Sequence, residues 1–298
     1  MNKTVLISGG SGLIGKQLYR TLAKAGYSPL VLSRNEKLAS RSDFIHWDPD
    51  KEQINLDAPL EVAGVINLAG ANIFAAKWTD ERKAMLTSSR LQPIAFLDKL
   101  ICDGRIRTAD FVSTSASGIY GDRKEEWCLE TDLPAQENFI TSLCRQWESA
   151  VADMKAPVSR TILRLGIVVA AEGGILDQYK PLLPLHMAPS FNKGKPYLPW
   201  VDIRDVARAF LFALEHESDD TFNVSADPVT IKAFGRKILE AYSSWGFVRN
   251  IPNFVIDLVL GERSMLLKDS QRMSNQKLKD IGFRFDHTDL LTSLKDAK

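Results

Sequence analysis

The chain has 298 residues, of which 45% are hydrophobic and 25% are charged, and these values are ordinary for a globular protein. Its 38 basic and 37 acidic side chains leave a net charge of +1, so no overall field draws the protein to nucleic acid or to an anionic membrane. The longest apolar run, residues 165–171, is far shorter than the roughly 20 residues that span a bilayer.

Short apolar runs and helix-period segments alternate over residues 1–115, which is typical of a parallel sheet covered by helices. Strands are predicted over residues 4–7, 29–32, 62–67 and 111–113, and a later one over residues 159–169. A first helix is predicted to end near Gly26 because apolar side chains recur at helical spacing, at Leu13, Ile14, Leu18 and Leu22. Two longer helices are predicted over residues 80–101, with Thr79 as the N-cap, and over residues 139–153.

The pattern changes after about residue 170. Five prolines crowd residues 181–199, and this density is too high for a helix or a central strand. Asp202 is then the predicted cap of a helix with an apolar stripe at Val206, Phe210, Leu211 and Leu214. The segments that follow predict a small α-rich lobe.

A glycine-rich turn directly follows the first predicted strand and opens the first helix. It reads Gly9, Gly10, Ser11, Gly12, Leu13, Ile14 and Gly15, and so contains the pattern G-x-x-G-x-x-G. The first glycine allows a tight turn, the second lets the backbone approach a pyrophosphate, and the third permits close packing of helix on strand. The helix N-terminus then presents free N–H groups and the positive dipole end to phosphates. This context favours a dinucleotide site over a merely structural turn.

The end of the second strand predicts which dinucleotide is bound. An NAD site usually places an Asp or Glu about 20 residues after the turn, where it binds the ribose 2′-hydroxyl. This chain has Ser33 and Arg34 there instead. A guanidinium matches a 2′-phosphate, and Ser33 can add a hydrogen bond. We therefore predict NADP(H) in preference to NAD(H); the alternative is that Arg34 is a solvated surface residue.

Further blocks extend this pattern along nearly the whole chain. They are residues 65–73 with Asn67, Leu68, Ala69 and Gly70, then Trp78 with Thr79, Ser89 with Arg90, Trp147 with Glu148, residues 164–168 with Arg164, and residues 261–262, 271–272 and 282–285. Together with the glycine turn, they resemble the extended short-chain dehydrogenase/reductases of the NAD(P)-dependent epimerase/dehydratase superfamily. More closely, the chain resembles its atypical branch of epimerase family proteins with a C-terminal domain of unknown function.

The alternation of elements and this resemblance predict an α/β fold, a Rossmann-type doubly wound parallel sheet with a smaller α-rich C-terminal substrate lobe. Residues 1–170, with a returning segment at about 200–225, are expected to form the NADP-binding domain, and residues 171–199 and 226–298 the lobe. The resemblance implies that residues 67–70 run beneath the nicotinamide side of the cofactor. It also implies a homodimer through the two long helices, and it places Arg90 and Arg164 on the cofactor or substrate side, unless they form structural ion pairs.

In the superfamily, a Ser or Thr after the fifth strand works with a Tyr-x-x-x-Lys pair on the next helix. Alignment on Tyr120 places Ala116 where the catalytic hydroxyl usually lies, between Ser115 and Ser117. Either serine could substitute, and we favour Ser115, with Tyr120 as a further catalytic candidate near the nicotinamide. The alternatives are a Ser-rich structural turn and a packing role for Tyr120.

The second catalytic element is missing. With Trp147 and Glu148 as anchors, Ile140 falls at the Tyr position and Cys144 at the Lys position. The leading hypothesis is therefore an NADP(H)-dependent oxidoreductase or epimerase-like enzyme for a small carbonyl or hydroxyl compound, without the usual pair. The alternative is a non-catalytic NADP(H)-binding redox sensor or regulatory protein.

Cysteine and histidine spacing completes the predictions. The three cysteines form no C-x-x-C pattern, and the four histidines never fall at H-x-x-x-H spacing. We therefore expect a reduced, cytoplasmic protein with a small-molecule substrate and with no metal, nucleic-acid or membrane partner.

Overall fold

A sheet of eight strands forms the centre of the molecule, whose computed structural model describes residues 3–38, 41–216, 218–243 and 245–298. In chain order its strands are β1 Thr4–Ser8, β2 Ser28–Ser33, β3 Phe44–Asp48, β4 Gln53–Ile54, β5 Gly64–Asn67, β6 Asp110–Ala116, β7 Ser159–Leu165 and β8 Thr221–Val224. The spatial order is β8-β7-β6-β5-β1-β2-β3-β4, and all neighbours are parallel except β3 and β4. This is the predicted Rossmann-type sheet. Its strands are added outward in one direction from β1 and then in the other direction from β5, so the strand order reverses between β1 and β5.

Helices cover both faces of the sheet, with α1 and α5 on one face and α2 and α3 on the other. In chain order the helices of the described residues are α1 Leu13–Lys24, α2 Asp80–Cys102, α3 Phe139–Ala152, α4 Leu176–Tyr179, α5 Ile203–His216, α6 Ile231–Tyr242, α7 Asn253–Leu260, α8 Met265–Lys268, α9 Gln276–Asp280 and α10 Leu290–Asp296. In β1, Val5 and Ile7 pack into the core with α1 and α5, whereas Leu6 packs on the opposite face with α2 and α3. Because both faces are buried, the strand is apolar along its length instead of alternating.

The local signals in the sequence place the helix ends well. The Thr79 hydroxyl accepts a hydrogen bond from the Arg82 amide at 3.2 Å, so the predicted N-cap of α2 is confirmed. Asn138 and Thr141 form a reciprocal capping box at the start of α3. Gly26, at φ +85°, lies two residues beyond the end of α1, where a left-handed glycine commonly ends a helix.

The prediction of a single strand over residues 159–169 is wrong. β7 ends at Leu165, and Ile167–Val169 leaves the main sheet to pair with Trp200–Asp202. The break falls at Gly166, where a Cβ atom would lie 2.6 Å from the carbonyl oxygen of Pro199. A side chain is excluded by this close approach, which no apolar periodicity reveals. The strand predicted over residues 62–67 also begins later, at Gly64.

The later segments build a separate apolar core above the sheet. It joins α4, α6 and α10 through buried side chains that include Tyr179, Trp200, Phe234, Ile238 and Leu294. The proline-rich residues contribute two short 3₁₀ helices, Lys180–Leu185 and Asn192–Gly194, and short paired strands, Met187–Ser190 with Phe247–Asn250 and Tyr197–Leu198 with Val229–Thr230. The domain boundaries stay a prediction.

The described residues lack a membrane-spanning helix and a cluster of metal ligands. None of the helices in these residues combines the length and apolar character that crossing a membrane requires. Within the same ranges, no group of three or more His, Cys, Asp or Glu side chains is placed to hold a metal ion.

Candidate functional site

The glycine turn lies between β1 and α1 at the carboxyl edge of the sheet. Gly9 has φ +71°, and a Cβ atom there would lie 2.6 Å from the carbonyl oxygen of Leu68. A Cβ atom on Gly15 would overlap Gly9 and Gly10, so the start of α1 packs directly against the turn. The N-cap residue Gly12 has no side chain to cap the helix, and the first N–H groups of α1 therefore have no capping acceptor.

A first cavity of about 380 Å³ opens beside this turn. It is lined by the turn, the end of β2, the residues after β5 and the first residues after β3, including Gly9, Ser11, Gly12, Ser33, Arg34, Asp50, Leu68, Ala69 and Gly70. Asn67 lies just beneath this lining: it is fully buried and accepts a hydrogen bond from Ser8 Oγ at 2.5 Å. Asn67 thus supports the loop without lining the cavity.

Arg34 stands at the mouth of the first cavity. Its side chain is 70% exposed, and its Nη1 atom lies 4.0 Å from Asp50 Oδ2, at the outer limit of an ion pair. The Ser33 hydroxyl accepts from the Asn35 amide at 3.2 Å and can still donate. The guanidinium is therefore free to meet an anion, and Asp50 is the acidic side chain nearest to it in the lining.

A second cavity of about 500 Å³ continues the cleft beyond the turn. The two cavities meet where Gly12 lines the first and Leu13 the second, with Ala71 and Asn72 divided in the same way. One side of the second cavity comes from the ends of β6 and β7 and from α3, and the other side from α4 and α8 of the lobe. Its lining is mostly apolar, with polar contributions from Asn72, Arg90, Ser117, Cys144, Asp177, Gln178, Asp269 and Gln271.

The arrangement of turn and cavities agrees with comparison to known families. The model of the NAD dependent epimerase/dehydratase family matches residues 5–225. The chain belongs to this family. A second model, a domain of unknown function (DUF1731), matches residues 251–297, so the resemblance to the branch with this C-terminal domain is confirmed.

Relatives of this epimerase/dehydratase chain are found in several bacteria. The epimerase family protein ML0860 of Mycobacterium leprae is 31% identical over 303 residues, which cover 98% of this chain and 95% of that protein. The epimerase family protein YfhF of Bacillus subtilis is 28% identical over 303 residues, with 96% and 95% coverage.

Solved structures show the same fold. The human epimerase family protein SDR39U1 (isoform 2) with NADPH has a TM-score of 0.88 and 23% identity, and the match covers 99% of this chain and 98% of that one. UDP-glucose 4-epimerase of Thermus thermophilus in complex with NAD has a TM-score of 0.75 and 19% identity, with 98% and 96% coverage.

The positions of the family's Tyr-x-x-x-Lys pair face the second cavity. Ile140 and Cys144 both line it and are 5% and 4% exposed. Burial raises the pKa of the Cys144 thiol to about 12, and Glu148 adds to the rise, so the thiol stays protonated at neutral pH. Neither side chain can act as the phenol does in other family members.

The two residues predicted to be catalytic lie in a buried polar layer behind the cavity. This polar layer consists of Ser115, Tyr120, Glu148, Arg164 and Asn223. Ser115 Oγ donates to Glu148 Oε1 at 2.6 Å, and the Tyr120 hydroxyl donates to Asn223 Oδ1 at 2.7 Å. Arg164 holds both Glu148 oxygens, at 2.9 and 2.7 Å, and donates to the Tyr120 hydroxyl at 2.9 Å.

The polar layer satisfies its own hydrogen bonds and contributes no atom to the lining of either cavity. Tyr120 is fully buried, and burial raises the pKa of its phenol. Burial alone lowers the pKa of Arg164, but its bonds to Glu148 and Tyr120 raise it above the usual value. The catalytic roles predicted for Ser115 and Tyr120, and the cofactor-side role predicted for Arg164, stay predictions that these positions do not favour.

Ser117 is the serine of this segment that does reach the second cavity. In a continuous strand Ser115 and Ser117 would point to the same side. The strand ends at Ala116, and the chain turns into a short 3₁₀ helix at Ser117, which moves that side chain to the cavity. Ser117 is the other serine that flanks Ala116, and no signal in the sequence distinguishes it from Ser115 as the one that reaches the cavity.

The lobe adds carboxylates that sequence reasoning missed. Asp177 from α4 and Asp269 at the end of α8 line the second cavity. Burial and the nearby charge of Asp122 raise the pKa of Asp269 to about 6, against a smaller opposing effect of Lys268. Because these residues lie in segments with no periodic or catalytic pattern, only the tertiary structure could bring them to the cleft.

Proposed function

We propose that this protein binds NADP(H) and catalyses hydride transfer to or from a small carbonyl or hydroxyl compound. The observation that carries the proposal is the two-part cleft along the carboxyl ends of the parallel strands, where such sheets bind dinucleotides. The first cavity is the place for the adenosine half, and the second is the place for the nicotinamide and the substrate.

The residues of the turn fit a dinucleotide. The backbone at Gly9 and Gly12, which a Cβ atom would crowd, and the uncapped start of α1 can receive the pyrophosphate. Ser33 and Arg34 can hold a 2′-phosphate, and Leu68, Ala69 and Gly70 can pack beneath the cofactor. Asp50 is the group that could favour NAD(H) instead, but its carboxylate lies beside the exposed Arg34 guanidinium.

The nicotinamide ring supplies or accepts a hydride when it is bound. The chain's own contribution is an apolar, partly enclosed second cavity that limits water, with Ser117 in its lining to orient a substrate oxygen. The substrate proton is exchanged with water or with a polar group of this lining, because Ile140 and Cys144 cannot exchange it.

The second candidate function is a non-catalytic NADP(H) sensor or regulator. It is favoured by Ile140 and Cys144 at the catalytic positions. We also propose a homodimer through α2 and α3. A reduced cytoplasmic setting is in keeping with three free cysteines, Cys102, Cys128 and Cys144.

Calorimetric titration of the purified protein with NADPH and NADH tests the cofactor assignment. Arg34→Ala should weaken NADPH binding by about 10- to 100-fold, since a charge-assisted hydrogen bond contributes about 1.5–3 kcal/mol, and leave NADH binding unchanged. Arg41→Ala, which removes an exposed arginine paired with Asp43, is the matched control. Equal NADPH affinity of Arg34→Ala and the wild type contradicts the assignment.

NADPH oxidation with a broad panel of carbonyl compounds then separates the enzyme from the sensor. Turnover that is lost in Ser117→Ala and kept in Ser115→Ala supports the cavity assignment, and the reverse result supports the prediction from sequence. NADPH binding without turnover across the panel favours the sensor.

A further inference from the structure

The titratable side chains in the lining of the second cavity differ in whether they can exchange a proton near neutral pH. Among the described residues these side chains are Arg90, Cys144, Asp177 and Asp269. A guanidinium such as that of Arg90 stays protonated in proteins, and the pKa of the Cys144 thiol is raised to about 12. Asp177 is held in an ion pair with Lys180 at 3.1 Å, and its side chain is 49% exposed. The group that remains is the carboxyl group of Asp269.

Asp269 directly follows α8, the helix that packs on the positions of the missing Tyr and Lys. Met265 and Leu266 of α8 pack against the apolar cluster that contains Ile140 and Cys144. Asp269 comes three residues after Leu266 and lines the cavity that Ile140 and Cys144 also line. The lobe therefore brings a carboxyl group to the cavity from which the phenol is missing.

The backbone beside Asp269 is held in place by hydrogen bonds. The next residue, Ser270, is 4% exposed. Its amide donates to Asp122 Oδ1 at 3.0 Å, and its hydroxyl accepts from the Tyr197 amide at 2.9 Å. Its carbonyl accepts from the Arg123 amide at 2.9 Å. Asp269 is thus carried on a fixed segment, as a side chain that must meet a reacting atom requires.

The carboxyl group of Asp269 has neither a hydrogen bond nor an ion pair within the part of the chain that the structure describes. Burial and the nearby charge of Asp122 raise its pKa to about 6. Lys268 opposes this rise, but it is itself paired with Asp257 at 2.5 Å. The other charged side chains in the lining of the cavity are Arg90 and Asp177. A carboxyl group with this pKa can both donate a proton and take one back near neutral pH.

We propose that Asp269 is the catalytic acid and base of this protein and exchanges a proton with the substrate oxygen in place of the absent phenol. This inference rests on the proposed function. In the direction of reduction, the carbonyl carbon accepts a hydride from the reduced nicotinamide, the carbon–oxygen π bond breaks, and the oxygen takes the proton of the Asp269 carboxyl group. An alcohol, the oxidised nicotinamide and an Asp269 carboxylate result, and the carboxylate recovers a proton from the solvent. Oxidation of an alcohol is the reverse of these steps.

Proton release on cofactor binding tests the position of Asp269 without any substrate. The oxidised nicotinamide ring carries a positive charge that the reduced ring lacks, and a positive charge favours the ionised form of a nearby carboxyl group. The full chain is titrated calorimetrically with NADP⁺ and with NADPH at about pH 6, close to the pKa of Asp269, in two buffers of different ionisation enthalpy. The wild type should release more protons with NADP⁺ than with NADPH, by about a few tenths of a proton per chain. The 2′-phosphate is common to both ligands, so it cancels in this difference.

Reduction of diacetyl and phenylglyoxal by NADPH tests the catalytic role. Asp269→Asn should abolish the difference in proton release and lower kcat/KM about 100-fold or more, the usual contribution of general acid catalysis, and Asp269→Glu should restore part of it. Asp280→Asn is the matched control and should change neither quantity, because this exposed carboxylate at the end of α9 accepts from Gln276 at 2.6 Å and does not line the cavity. Thermal melting verifies that each variant is folded.

The pH profile of kcat/KM gives a readout that a merely structural role would not move. Reduction needs the protonated carboxyl group, so kcat/KM of the wild type should fall as pH rises above about 6. Asp122→Asn keeps the oxygen that accepts from the Ser270 amide but removes the negative charge. The pKa of Asp269 should therefore fall in this variant, and the loss of kcat/KM should begin at a lower pH than in the wild type.

Two results overturn the inference and leave the proposed function standing. One is that Asp269→Asn shows the same difference in proton release between NADP⁺ and NADPH as the wild type. The other is that Asp269→Asn keeps kcat/KM within about threefold of the wild type, or that the profile of Asp122→Asn coincides with that of the wild type. Failure of the wild type to bind either form of the cofactor contradicts the proposed function and this inference with it.

Discussion

Two buried arginines lie on either side of α3 and differ in their surroundings. Arg164, in the polar layer, has a bidentate carboxylate and a phenol, and its side chain is 8% exposed. Arg90, in the wall of the second cavity, has two backbone carbonyls, a tryptophan face and no carboxylate. The Arg164 guanidinium has a counter-charge and hydrogen-bond acceptors within the fold. The Arg90 guanidinium has no counter-charge, and its Nε donor has no acceptor among the described residues.

The difference separates residues that hold the fold from residues that are free to bind. A satisfied polar network makes the carboxyl ends of β6, β7 and β8 rigid, and its removal should reduce stability. An unsatisfied group in a cavity already costs stability, so its removal should alter binding instead. Three substitutions test this division.

Glu148→Gln should have the largest effect on stability. It leaves the Arg164 guanidinium buried without a counter-charge, and breaking a buried pair in this way costs about 3–5 kcal/mol. Urea denaturation measures the loss. Glu137→Gln is the control, because the Glu137–Arg145 pair has side chains that are 63% and 52% exposed and should contribute at most about 1 kcal/mol. Similar losses of unfolding free energy in Glu148→Gln and Glu137→Gln contradict the distinction between residues that hold the fold and residues that are free to bind.

Tyr120→Phe should have the next largest effect. It removes the donor to Asn223 Oδ1 and an acceptor of Arg164, and an unpaired buried group of this kind costs about 1–3 kcal/mol. Tyr19→Phe removes a similar bond to Asp43 in a more exposed place and should cost less than about 1 kcal/mol. If Tyr120 acts in catalysis without supporting the fold, Tyr120→Phe loses turnover while its unfolding midpoint stays unchanged.

Asp269→Asn should have the smallest effect, and it should be stabilising. The folded pKa of about 6 lies above the unfolded value of about 4, so the free energy of unfolding of the wild type falls as pH rises between these values. Asp269→Asn should therefore be more stable than the wild type by about 1 kcal/mol at pH 8, since water partly screens the carboxylate. The two should coincide below about pH 4. Unfolding curves at both pH values check this, and an equal difference at both contradicts it.

Much of the fold could be predicted from the sequence because its signals are local. The apolar runs of β1 and β2, the glycine turn and the Thr79 cap each depend on a few neighbouring residues. The break at Gly166 could not be predicted, since it depends on Pro199, which is distant in the chain. The same limit applies to the choice between Ser115 and Ser117, which depends on which side of β6 meets α3.

The sequence by itself determined the family, the Rossmann-type sheet and the absence of a Tyr-x-x-x-Lys pair, because these are properties of short motifs at defined spacing. Only the tertiary structure decided which charges are paired. By charge alone Glu148 could pair with either Arg90 or Arg164, yet of these two arginines it pairs with Arg164. Ion pairing depends on distances of a few ångströms between separate elements, and no spacing along the chain specifies these. The pairing of Glu148 with Arg164 leaves Arg90 without a counter-charge among the described residues. It distinguishes a structural arginine from one available to a ligand.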